Sequence, residues 1–369
     1  MHVNGLSLSK TGLMRWSPHP VSGTWQGVFF LKGIIMQNVT LIGIDLGKDS
    51  FHVHCQDEKG HALLRKKFSR TQRMHFLASC KAATVMMESC GGAHFMGRRI
   101  ADLSHEAKLI SPHFVRPFVK SNKNDFVDAE AICEAASRPS MRFVTPRTEA
   151  QQAMSALHRV RDSLIRQRVK TTNQMHAFLL EFGVSLPRGI ALIRRLTVVL
   201  EENDFPPYLV RVLNRLHSQY VYLSWEIDEI DNELKTHLTE DETAQRLLSI
   251  PGVGPVTASL LATRQGDGKN YASSRDFAAS PWRVPRQYST GGKMPLMGIS
   301  KRGNKNLRRL LVQCARVFMQ RLEHNPGRLS EWVKKQLASH HSNVVACALA
   351  NKLARIVWAV TAHQAAFSK

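Results

Sequence analysis

Between residues 39 and 137 the chain changes rhythm, and that change restricts its topology more than any other feature. "VTLIGID" (39–45), "SFHVHCQ" (50–56) and "HALLRKKF" (61–68) are short runs separated by Gly, Asp and Lys, the pattern of an antiparallel meander. A helical stretch over 71–81 then leads to the apolar strand "ATVMME" (83–88). A Gly-Gly turn, a helix over 93–106, a strand "KLISP" (108–112) and helix again through 137 follow.

Three antiparallel strands followed by alternating helices and strands is the element order of a ribonuclease H-like α/β domain. On that order the acidic residues take up particular places. Asp45 ends the first strand and Glu88 the fourth, while Asp125 and Asp128, in "KSNKNDFVDAEAI" (120–132), lie one helical turn apart and point the same way. Four carboxylates at one sheet edge raise each other's pKa, and a hard divalent cation relieves the conflict. Mg²⁺ suits oxygen ligands of this kind, and two ions roughly 3.5–4 Å apart clamp the attacking and leaving oxygens of a phosphodiester displacement. An isolated Asp-x-x-Asp is more often a solvated or capping helix start; Asp45 and Glu88, each closing an apolar strand, tip the balance towards a metal site.

Charge points to the partner. Fifty-one Lys and Arg against 29 Asp and Glu give +22, which favours a polyanion such as DNA through phosphate neutralisation over an anionic membrane surface or plain solubility. No apolar run approaches the ~20 residues that span a bilayer, so a cytoplasmic protein without a membrane role is expected. Cys55, Cys80, Cys90, Cys133, Cys314 and Cys347 form no Cys-x-x-Cys pair and read as reduced thiols rather than a zinc knuckle or disulfide framework. Residues 1–35 are a poorly patterned leader: Lys32 interrupts "GVFFLKGII" and no cleavage site follows. Met36 is the expected functional start.

Residues 147–240 carry apolar residues at helical spacing on either side of the loop "GVSLPRG", predicting two long antiparallel helices in a helical hairpin or coiled coil. Arg159, Arg161, Arg166, Arg168 and Lys170 then lie exposed, for nucleic acid or for simple solvation. "IPGVGPVTA" (250–258) suits a helix-hairpin-helix-like element in which Gly252, Gly254 and the following helix N-terminus face a phosphate. "QYSTGGKMPLMGISKRGNKNLRR" combines hydroxyls and glycines with Lys293, Lys301, Arg302, Lys305, Arg308 and Arg309. Most Ser-Thr-Gly-Gly stretches are flexible loops, but a hydroxyl beside cations becomes a nucleophile when a base or metal activates it.

"IGIDLGKDSFHV", "MESCGG" and "NKNDFVDAEAI", with "LLSIPGVGPVTASLL" and "STGGKMPLMGISKRGNKNLRRLL" downstream, resemble the motifs of IS110-type DEDD transposases, and within them the IS1111-like group. The resemblance spans roughly residues 36–365. It implies that Asp45, Glu88, Asp125 and Asp128 are the DEDD catalytic and metal ligands of a RuvC-like domain (36–146). It implies further a mainly helical C-terminal transposase domain (241–369) with a nucleophile at Ser289 or Thr290, oligomeric action, and a structured guide RNA encoded by the element. Lys123 and its Asn neighbours would position the DNA backbone, together with Gly252, Gly254, Lys293, Lys301, Arg302 and Arg308.

One departure stands out. Where the family has an aromatic residue and a short apolar run before "VPRQ", this chain reads Ser280, Pro281, Trp282, Arg283. Pro breaks helix continuity and Arg283 puts a charge where packing is expected, which bears on activity more than on identity. Two other functions fit the residues: a junction-resolving hydrolase that needs only the four acids and water, and a non-catalytic DNA-binding relic.

Overall fold

The computed structural model describes residues 38–120, 124–187, 189–265, 271–280, 285–287, 289–299 and 304–368. The expected leader 1–35, Lys123, the departure at Pro281, Trp282 and Arg283, and Lys301 and Arg302 lie outside the described residues. The chain divides into two compact units, residues 1–146 and 147–369.

In the first unit six strands form one sheet in the order β3-β2-β1-β4-β5-β6. β1 (Leu41–Leu46), β2 (Phe51–Gln56) and β3 (Ala62–Phe68) are an antiparallel meander. β4 (Thr84–Glu88) runs parallel to β1 and β5 (Glu106–Ile110) parallel to β4, while the two-residue β6 (Phe143–Val144) closes the edge antiparallel. Because side chains alternate along a strand, one face presents Ile42, Ile44, Val53, Val85 and Met87 to a core shared with α1 (Arg70–Ser79) and α2 (Ala93–Ala101). Met86, Ile110 and Leu41 turn to the other face, against α4 (Asp125–Ala136).

Local sequence sets these elements. Ser69 and Gln72 form a capping box that starts α1, and Gly92, at φ 85, takes the left-handed turn before α2 that a side chain would strain. α2 stops at Ala101 rather than reaching 106. Ser104 turns the chain at φ 64, and the buried His105 ring holds the turn, accepting from Ala83 N at 3.1 Å and meeting Leu77 O at 2.8 Å. The helix expected through 137 is likewise interrupted: α3 (Pro112–Val115) and a 3₁₀ turn containing Pro117 precede α4.

The second unit begins with α5 (Glu149–Glu181) and α7 (Pro207–Glu240), which pack against each other. Their connection is more than a loop. α6 (Ile190–Glu202) places Leu192, Leu196 and Val199 against Met175, Leu179 and Leu213 to form a separate apolar cluster at the tip. α8 (Glu242–Leu248), α9 (Pro255–Gln265), α10 (Ser274–Ala279), α11 (Lys305–Gln320), α12 (Arg328–Leu337) and α13 (Ser342–Ala362) build the second core, and β7 (Pro285–Gln287) pairs with β8 (Leu296–Ile299). α13 corrects one expectation, since by length and composition it is able to cross a membrane. Val345, Leu349, Leu353 and Val357 along it are instead buried in the protein core.

Candidate metal centre and nucleic-acid contacts

α4 lies unusually close to the sheet because position 43 has no side chain: a Cβ on Gly43 would sit 2.5 Å from Ala129 O and 2.6 Å from Cys133 Sγ. Ala129, Ala131 and Ala135 continue that close-packed surface. Asn124 caps the helix by accepting from Phe126 N at 3.0 Å, which fixes Asp125 and Asp128 in its first turn.

Register places the other candidate ligands. Asp45 stands opposite His52 across the β1–β2 pair. Ile44 is paired with Met87 on parallel β4, so Asp45 and Glu88 follow side by side at the strand ends. Ligand atoms of Asp45, His52 and Asp125 all lie within 4.8 Å of one another. His52 is buried, its Nδ1 is 3.4 Å from Asp125 Oδ2, and its ring meets Phe126 edge-on at 4.6 Å. Glu88 is held above the usual carboxylate range by its burial and by the negative charges of Asp45 and Asp128. Burial and the charges of Glu88 and Asp45 also push the Cys90 thiol up.

Carboxylates that repel one another, beside an imidazole, match the donor set of a divalent cation. The residues therefore fit the metal that the sequence implies, with His52 as a member that sequence reasoning missed. A histidine inside an apolar strand reads as core; the signal lay in the hairpin register, which sets position 52 against position 45.

The other sequence-predicted residues lie in the second unit. Thr290 and Lys293 pair through N–O contacts of 3.2 and 3.1 Å, and Gly291 and Gly292 between them take φ 56 and 78. These are the two positive φ values of a type I′ hairpin turn, so the glycines serve backbone geometry. Ser289 and Thr290 are both exposed at this turn. Gly252 (φ 83) is pressed on α11, where a Cβ would be 2.6 Å from Cys314 O, whereas Gly254 has open space around it. Arg308 is half-buried on α11. On α5, Arg159 and Lys170 are exposed, but the others have partners. Arg161 is bound to Asp231 of α7, Arg166 to Asp162, and Arg168 donates to Ser224 at 3.4 Å.

A basic chain whose acids cluster at the carboxyl ends of parallel strands belongs among enzymes that act on nucleic-acid phosphates. Residues 42–183 match a family model described as a transposase, and residues 244–330 match one described as the transposase IS116/IS110/IS902 family. The chain is 73% identical over 334 residues to the transposase for insertion sequence element IS1328 of Yersinia enterocolitica, covering 90% of this chain and all of that protein. It is 39% identical to the transposase for insertion sequence element IS1111A of Coxiella burnetii, covering 89% and 91%. A pilin gene-inverting protein of Moraxella bovis is 22% identical over 218 residues, covering 57% and 59%. The chain belongs to the IS110 family of insertion-sequence transposases.

Proposed function

We propose that this transposase cuts and rejoins DNA through a RuvC-like, ribonuclease H-like domain in which Asp45, Glu88, Asp125 and Asp128 hold divalent metal, with His52 beside Asp125. The observation that carries the reading is the meeting of Asp45, His52 and Asp125 within 4.8 Å. The strand order, with β1 to β3 antiparallel and β4 and β5 parallel to β1, supports the fold assignment. Two Mg²⁺ ions bound there would polarise the phosphate and stabilise the attacking and leaving oxygens.

The chain's own residues supply the remainder. The oxygen of Ser289, or of Thr290, attacks phosphorus and gives up its proton. The bond to the leaving strand oxygen breaks, that oxygen takes a proton, and the strand stays joined to the protein as a phosphoester. Attack by a strand hydroxyl on this ester reverses the step without loss of bond energy. Lys293 follows in the same hairpin and suits the charge that develops on the phosphate. Rejoining is favoured over plain hydrolysis because the Moraxella relative is named for inverting a gene, and inversion requires both cutting and resealing.

Residues 36–146 are assigned to the nuclease, 147–240 to the hairpin and 241–369 to the nucleophile-bearing domain. Self-association is supported by exposed Tyr208, Val221, Tyr222 and Trp225 on α7. Target choice by a structured RNA rests on the family resemblance and the +22 charge, and a cytoplasmic location on the chain's kinship to transposases. Asp125→Asn tests the centre: strand cleavage is lost while DNA affinity holds or rises, because a ligand and a repulsive charge disappear together. Cleavage at the wild-type rate would remove the assignment.

A further inference from the structure

We infer that His52 binds the metal directly and sets which ion the centre prefers. Asp45, His52 and Asp125 form a mixed oxygen–nitrogen seat for a divalent transition ion of the Mn²⁺ class, held in preference to Mg²⁺. The inference rests on the proposed metal centre and narrows it from a divalent ion to a class of ion.

The seat starts in the hairpin. β1 and β2 pair antiparallel with Asp45 opposite His52, and residues directly opposite one another stand roughly 4.5–5.5 Å apart at Cβ. Alternation sends the side chains of β2 to two faces. Phe51 and Val53 enter the core shared with α1 and α2, so His52 takes the face that carries α4. Phe126 of α4 meets the imidazole edge-on at 4.6 Å, and the preceding residue, Asp125, brings Oδ2 to 3.4 Å from Nδ1. Two strands and one helix thus each deliver one ligand atom, all within 4.8 Å of one another.

The imidazole has no other evident use. It is 5% exposed, and among the described residues its one polar contact is Asp125. At 3.4 Å that contact is longer than an N–H···O hydrogen bond, about 2.7–3.2 Å. It matches two ligands of one ion, since a nitrogen and an oxygen each held at roughly 2.0–2.2 Å stand about 3.0–3.5 Å apart. A buried ring nitrogen without a good partner weakens a fold, and a bound cation supplies that partner. The Asp125 side chain is 53% exposed, so an ion reaches the seat from solvent on that side.

Donor chemistry selects the ion. Mg²⁺ binds through oxygen and keeps several of its waters, so an imidazole adds little to its affinity. Imidazole nitrogen favours first-row transition ions, and carboxylates suit Mn²⁺ among them. A seat of two carboxylates and one imidazole therefore separates Mn²⁺ from Mg²⁺ by its nitrogen. His54 is the internal comparison. It shares the strand and the burial of His52 and, two residues on, its face. Its Nε2, however, meets Gln56 Nε2 at 3.2 Å, and it is no member of the Asp45–His52–Asp125 group.

The test titrates full-length protein with MnCl₂ and with MgCl₂, as wild type, His52→Gln, His54→Gln and Asp125→Asn, and records electron spin echo spectra of the Mn²⁺ form. Wild type is expected to show modulation from nitrogen bound to Mn²⁺, altered when the protein carries ¹⁵N-histidine, a result that needs no substitution. His52→Gln should lose the modulation and bind Mn²⁺ at least about tenfold more weakly, while its Mg²⁺ affinity changes less than about threefold. His54→Gln should keep both the modulation and the affinities. Mn²⁺ bound to wild type without nitrogen modulation overturns the inference. So does modulation that survives in His52→Gln or vanishes in His54→Gln, or an equal loss of both ions in His52→Gln, since the imidazole would then be structural. The metal centre itself is read separately. Asp125→Asn should weaken both ions, and failure of wild type to bind either ion, or of Asp125→Asn to weaken them, refutes that underlying reading.

Discussion

Gly43→Ala tests whether the packing of α4 on the sheet builds the metal centre. Elsewhere in a strand this change stabilises slightly, by about 0.5–1 kcal/mol, because alanine loses less backbone freedom on folding. Here the new Cβ would lie 2.5 Å from Ala129 O and 2.6 Å from Cys133 Sγ, while ordinary contact begins at 3.4 Å, so α4 must retreat by about 0.9 Å. The carbonyl belongs to the helix backbone and has no rotamer into which to escape. Overpacking of this kind costs about 1–3 kcal/mol, which outweighs the gain and lowers Tm by roughly 3–10 °C. Asp125 and Asp128 move with the helix, far beyond the ~0.2 Å tolerance of metal–ligand distances. Affinity for Mg²⁺ or Mn²⁺ should fall at least tenfold, and cleavage about a hundredfold. Differential scanning fluorimetry, calorimetric metal titration and a strand-cleavage assay read the three effects, with Gly91→Ala as control because its Cβ meets nothing within 4 Å. Wild-type Tm and metal affinity in Gly43→Ala would refute the claim that α4 is held at the limit of approach.

Two further predictions concern charge and the nucleophile. Glu88 binds its proton more tightly folded than unfolded because of burial and the charges of Asp45 and Asp128, so stability falls as pH rises past the ordinary glutamate value. In metal-free buffer Glu88→Gln should therefore raise Tm by a few degrees at pH 7 and gain little at pH 4; a lower Tm at pH 7 would contradict this. Covalent protein–DNA adducts on denaturing gels should vanish in Ser289→Ala and persist in Thr290→Ala, since the primary hydroxyl is less crowded than the β-branched one. The opposite result moves the nucleophile to Thr290.

Strand alternation made much of the first unit legible. Ile42 and Ile44, and Val85 and Met87, occupy the core at period two, which locates Asp45 and Glu88 at strand ends from sequence alone. The missed features depend on longer-range information. β6 has two residues and no periodicity of its own, and it exists because β5 leaves an edge to pair. α6 was hidden by Gly183, Pro187 and Gly189, which read as one loop although Leu192, Leu196 and Val199 carry helical spacing beyond them. The reason for Gly252 is also non-local, since only the folded chain brings Cys314 O against it. His52 combines both difficulties: its side chain looks like core until the hairpin register sets it beside Asp45 and the helix beside Asp125.

The acids of α4 divide into two sets, and the division explains how so basic a chain keeps a negative site. Glu130 pairs with Arg65 at 3.1 Å and with Lys120 at 3.4 Å, and Glu134 with Lys120 at 2.8 Å. Those carboxylates are neutralised and fasten the helix to its surroundings. Asp125 meets the His52 ring and lies near Asp45, and Asp128 and Glu88 have no lysine or arginine within ion-pair distance among the described residues. With 51 basic side chains in the sequence, exposed carboxylates would readily collect cationic partners. Two features disfavour such partners for Asp128 and Glu88. The neighbouring strand positions are apolar, and the positive end of the α4 dipole already favours Asp125 and Asp128 where they stand. A lysine here would stabilise the metal-free protein and compete with the divalent ion for the same oxygens. Burial and the charges of Asp45 and Asp128 leave Glu88 with a raised pKa, an electrostatic cost of folding that a bound cation would offset.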